Sequence, residues 1–106
     1  MAKLYKLIVY VPVAEAENMR NVMADAGAGK MGNYDNCSFS IRGTGRFRPL
    51  AGANPSIGQI DKLEEVEEER IETVVTEDLL KQVLAAVNKN HPYEEPATEV
   101  YALYEG

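Results

Sequence analysis

A single histidine, a single cysteine and three closely spaced glycines are the residues of this 106-residue chain best suited to chemistry. Gly27, Gly29 and Gly32 spell G-x-G-x-x-G, the pattern of a loop that wraps a pyrophosphate. That chemistry needs a strand before the glycines and a helix after them, whose N-terminus receives the phosphates. Here the order is helix, glycines, strand. Lys30 is followed by Met31, where a phosphate loop needs Ser or Thr to hold magnesium. Gly27 therefore reads as a helix terminator and Gly32 as a turn residue. The polar residues of this stretch, Lys30, Asn33, Tyr34, Asp35 and Asn36, are candidates for contact with a ligand or an interface.

His91 sits at a helix end beside Pro92, Tyr93, Glu94 and Glu95. The helix dipole favours a histidine there without further function. With the carboxylates it could also ligate a divalent cation, copper or zinc. One histidine supplies too few ligands unless Cys37, a carboxylate such as Glu94 or Glu95, or another subunit contributes. Cys37 itself alternates with Phe39 and Ile41, which reads as a small buried residue more readily than as a nucleophile. Arg42, Arg46 and Arg48 share one strand face and could hold a small anion. The competing reading pairs them with the acidic run Glu64–Glu69 on a neighbouring strand, that run being otherwise a solvated face. No Ser-His-Asp arrangement can be built, and no cofactor is required.

The elements that must position these residues follow from hydrophobic periodicity. Residues 3–11 form a strand buried on both faces, since Leu7 to Val11 is continuously apolar. From about 14 to 26, Met19, Val22, Met23 and Ala26 trace one helical stripe. Residues 36–48 alternate as a second strand, with Gly43 and Gly45 marking a bulge or bend. A loop over 49–62 carries two prolines and two glycines, and so long a loop in a small domain is commonly functional. Residues 63–75 fit both periods; the β-branched run Ile71–Thr76 decides for a strand over about 66–75. Thr76 then caps a second helix, which Asn90-His91-Pro92 stops, and Ala97–Tyr104 forms the last strand. Tyr and Leu alternating along it suggest that the sheet face is covered by another copy.

The order β-α-β-β-α-β predicts an α+β, ferredoxin-like sandwich over residues 1–106, a four-stranded antiparallel sheet with both helices on one face. Its 45% apolar and 26% charged composition is that of an ordinary globular domain. A formal charge of −6 argues against nucleic-acid and anionic-membrane partners. One cysteine fits a reducing compartment, and Leu7–Val11 is too short for a signal-peptide core; the expected location is the cytoplasm.

Gly27-Ala-Gly-Lys-Met-Gly-Asn-Tyr-Asp-Asn-Cys-Ser-Phe39, Gly43-Thr-Gly-Arg-Phe-Arg-Pro49, Ala53-Asn-Pro-Ser-Ile-Gly58, Glu67-Glu-Glu-Arg-Ile-Glu72 and His91-Pro-Tyr-Glu-Glu-Pro-Ala97 together resemble the insert domain of YqfO-like proteins. These belong to the NGG-interacting-factor family, sometimes labelled GTP-cyclohydrolase-like. The same domain is similar to CutA, a trimeric divalent-cation tolerance protein, and to PII proteins, trimeric sensors that bind effectors between subunits. The resemblance implies a CutA/PII-like fold and a homotrimer. Family members flank this insert with a domain holding two metal ions through several His and acidic residues, and this chain is expected to act without it. The expectation is a stand-alone, non-enzymatic binding or regulatory module, acting by itself or with a dinuclear-metal partner protein. Its ligand or partner would sit at subunit boundaries, with the loop Gly27–Cys37 and the turn His91–Pro96 as the surfaces. A CutA-type metal protein is the alternative; metal-dependent hydrolysis ranks below both.

Overall fold

The computed structural model describes residues 3–104 and runs β1 (Leu4–Pro12), α1 (Val13–Asp25), β2 (Phe39–Phe47), β3 (Glu64–Thr76), α2 (Glu77–Asn90) and β4 (Thr98–Ala102). The sheet order is β2-β3-β1-β4, and every neighbouring pair is antiparallel. This is the expected α+β arrangement. β1 holds a central place, which explains its continuous apolar run: Leu7, Ile8 and Val9 are all buried.

Register and pleat assign the two faces. Leu7, Val9 and Val11 of β1 and Ile71 and Val75 of β3 point towards the helices. There they meet Ala16, Met19 and Met23 of α1 and Val83 and Val87 of α2 in one core. Glu69 lies on the same face, where Arg20 of α1 reaches it at 2.5 Å and Arg42 at 3.8 Å. Breaking one partner from a carboxylate so enclosed costs about 3 kcal/mol or more. On the opposite, open face a polar lattice covers Ile8. Lys6 and Arg70 both pair with Glu72 at 3.0 Å, and Tyr10 donates to Glu99 at 2.7 Å. The bonds from Tyr10 and Tyr101 hold the Glu99 carboxyl below its usual range.

Several expectations need correction. β3 begins at Glu64, so the acidic run is strand, and it is solvated only in part: Glu65 and Glu67 are exposed, but Glu68 and Glu69 are buried. Pairing with β1 and β2 overrides the helix-forming tendency of glutamate. Cys37, Phe39 and Ile41 are not a buried row. β2 is an edge strand whose Phe39 and Ile41 look out from the open face, 64% and 49% exposed, while Cys37 is half-buried. Gly43 and Gly45 make no bulge, for β2 pairs with β3 without interruption from Phe39 to Phe47. Thr76 occupies the N-cap position of α2, but its side chain makes no capping bond; the Glu77 N–H instead donates to the Lys3 carbonyl at 2.9 Å. The final strand is shorter than expected, Thr98–Ala102.

The glycine stretch behaves as a terminator and turn. The N–H groups of Gly27 and Ala28 donate to the Ala24 and Met23 carbonyls at the end of α1. Met31 and Tyr34 exchange hydrogen bonds of 2.8 and 3.0 Å across a tight turn. Gly29 does something the pattern hid. Its N–H donates to Val74 of β3 and its carbonyl accepts from Cys37, stitching the loop to the sheet.

Candidate functional site

Two connections meet over the open face at the Glu64–Glu68 end of β3. The first is the loop 49–62, whose ends are drawn together by the Asp61 N–H donating to the Pro49 carbonyl at 2.7 Å. The second is the turn between α2 and β4. Asn54 of the loop donates its backbone N–H to the Glu94 carboxylate at 3.1 and 3.2 Å, and the Ser56 hydroxyl donates to the Pro92 carbonyl at 2.7 Å. Between this roof and the sheet lies a cavity of about 940 Å³, large enough for a small organic ligand.

Glu68 forms its floor. Only 9% of the residue is exposed, and its Oε2 accepts the Tyr93 hydroxyl at 2.7 Å. Gly45 on β2 makes room for this carboxylate: a Cβ there would lie 2.0 Å from Oε1. Tyr93 packs edge-on against Phe47, ring centroids 5.7 Å apart, and forms a wall. Burial, reinforced by the bond to Glu68, raises the Tyr93 phenol well above the ordinary tyrosine range.

His91 fixes the turn from behind. Its Nε2 lies 2.7 Å from the Tyr10 carbonyl, so this nitrogen carries the proton and donates; Nδ1 accepts the Tyr93 N–H at 3.1 Å. Both nitrogens are thereby engaged. The expected ligand set His91, Glu94, Glu95 and Cys37 is not assembled within the chain, because Glu94 holds the loop and Cys37 packs by Thr73. Thr73 lies five residues along β3 from Glu68, roughly 17 Å at strand rise. Among the described residues no three His, Cys, Asp or Glu side chains gather as a metal cluster.

The other singled-out residues divide by position. Arg42 pairs with Glu69 and Arg46 with Glu65 at 3.6 Å, as the ion-pair reading of the arginines expects. Arg48 is exposed at the cavity mouth and has no ion pair among the described residues. Lys30, Asn33, Tyr34, Asp35 and Asn36 are exposed on the loop before β2, near the Val74 end of β3 and away from the cavity. Asn36 donates to the Asp35 carboxylate at 3.0 Å. Sequence reading overlooked Glu68. The one usable signal was its position opposite Gly43 and diagonal to Gly45, a gap that a buried side chain could fill.

No protein-family model matches the chain. Among known proteins it is 51% identical over 100 residues to the GTP cyclohydrolase 1 type 2 homolog of Halalkalibacterium halodurans, covering 94% of this chain and 27% of that protein. The solved structure of a Bacillus cereus protein related to NIF3, the NGG-interacting factor, superposes with a TM-score of 0.85 at 44% identity. That match covers 98% of this chain and 26% of the other. Over nearly its whole length the chain is similar in sequence and fold to one region of these NIF3-related proteins. It spans about a quarter of the length of these relatives. The divalent ion tolerance protein CutA1 of Ehrlichia chaffeensis shares the fold of this chain, with a TM-score of 0.70 at 17% identity over 100% of this chain and 86% of that one. Among the described residues no helix is long and apolar enough to cross a membrane.

Proposed function

We propose that this YqfO-like domain is a non-enzymatic, homotrimeric binding or regulatory module, with a ligand or partner held in the cavity beneath the loop 49–57. The observation that carries this reading is the open sheet face beside that cavity. Phe39, Ile41 and, on β4, Tyr101 at 52% exposure stand out from it, and the helices cover only the other side. Apolar residues spread over an uncovered sheet are the mark of an interaction surface. In a three-fold ring each copy meets its neighbours through two different surfaces, this face being one of them, and the CutA-like fold supports the same assembly. The cavity would then open close to the boundary between copies. As the lone histidine is engaged on both nitrogens, the cavity offers no histidine general base beside a nucleophile.

Light scattering on the purified chain tests the assembly. A mass of three chains is expected, and a monomer at micromolar concentration would sink the proposal. A copper or zinc site, the alternative reading, would have to draw ligands from a neighbouring copy.

A further inference from the structure

The charge on the cavity walls points to what enters it. Glu68 is nine-tenths buried, and the donor it meets, the Tyr93 hydroxyl, is neutral and occupies only Oε2. Oε1 has no hydrogen-bond or ionic partner among the described residues and lies on the cavity floor over Gly45. Oε1 keeps contact with solvent through the cavity, which leaves it as the acceptor open to an entering cation or N–H donor. The surroundings do not supply one. The roof residues 49–57 carry no ionisable side chain, Arg46 is paired with Glu65, and Glu94 is held by the loop amide. Glu95 and Arg48 both line the cavity and carry opposite charges, which leaves Glu68 as the carboxylate of the floor. Around it stand Phe47, Tyr93 and Tyr10, whose ring faces attract positive charge.

We infer that the cavity takes a small organic cation, a protonated amine on an apolar or aromatic body, with its N–H groups donating to Oε1 of Glu68. The inference rests on the cavity being the binding site of the module proposed above and adds the chemical class of its ligand. It also assigns Gly45 a role. Any side chain at that position pushes the Glu68 carboxylate off the floor, so the glycine preserves the acceptor.

Calorimetric titration of the full chain at neutral pH with phenethylamine, phenethyl alcohol and hydrocinnamate separates charge from shape. The amine is expected to bind and the anion not. Glu68→Gln should weaken the amine by about tenfold or more, as loss of a charged acceptor does. Gly45→Ala keeps the carboxylate but displaces it, and should weaken the amine as well, with circular dichroism confirming that both variants are folded. Equal binding of the alcohol or the anion overturns the cation assignment while leaving the site itself in place. No amine binding at millimolar concentration to a chain that still assembles overturns the inference but not the assembly. A basic side chain of a second copy filling the cavity would show as loss of assembly in Glu68→Gln without amine binding, and this too overturns it.

Discussion

The one histidine of this domain works on backbone. It bridges the Tyr10 carbonyl and the Tyr93 N–H, tying the end of β1 to the turn that walls the cavity. His91→Ala would leave that buried carbonyl unpaired, and roughly 2 kcal/mol of stability is expected to go with it in urea unfolding. Copper and zinc titrations of wild type and variant should coincide; a site lost only in the variant would restore the metal reading. Tyr93 makes a second prediction. Its folded pKa lies above the unfolded value of about 10. Its contribution is therefore fully present below that pH and fades as the pH climbs towards the folded value. Wild type should lose stability more steeply than Tyr93→Phe above pH 10, so that the gap between them narrows in alkaline denaturation series. At this scale the sequence was only partly legible. His91, Tyr93 and Glu94 stand out by their crowding beside a proline; Tyr93 and Glu94 line the cavity, while His91 and Glu94 bind backbone groups rather than a metal. Glu68 was hidden in a run of glutamates, because its burial comes from a loop and a tyrosine distant along the chain.

Elements were far more legible than side-chain fates. The switch from alternation to a three-and-four spacing marks α1 and α2, and the β-branched run from Ile71 settles β3 against its helix-forming start. What local pattern could not convey was which side of β2 would be covered. It is an edge strand whose Phe39 and Ile41 lie on the face turned away from the helices, and so they are exposed. The loop before it gives a sharp contrast between two glycines with positive φ. At Gly29, φ is +81° and a Cβ would come within 2.6 and 2.8 Å of the Cys37 backbone. At Gly32, φ is +58° with nothing within 4 Å. Gly32→Ala should cost about 1 kcal/mol from conformation alone. Gly29→Ala should cost roughly 3 kcal/mol, since backbone cannot step aside. Equal losses for the two variants in denaturant unfolding would mean that the stitch between loop and β3 is not rigid.

For the whole molecule, the deciding surface is the open face. Phe39→Asp combined with Ile41→Asp places two charges where the proposed assembly buries apolar groups. Light scattering is expected to report a single chain, while circular dichroism stays that of the wild type; an unchanged mass would move the interface elsewhere. The composition and element order had already pointed to a small sheet-and-helix unit with one face left over. The sequence could not indicate that the centre of that face is polar, a lattice of Lys6, Arg70, Glu72, Tyr10 and Glu99. Its parts lie on three strands that meet only in the fold. Glu68 and Glu69, though adjacent, serve opposite sides of the same sheet, one flooring the cavity and the other gripping Arg20 beneath the helices. A strand's strict alternation means that gaining or losing one residue within β3 would trade these carboxylates across the sheet. The helix anchor and the ligand floor would fail in the same event. The middle of β3 is thus a reading frame, open to substitution but closed to any change of length.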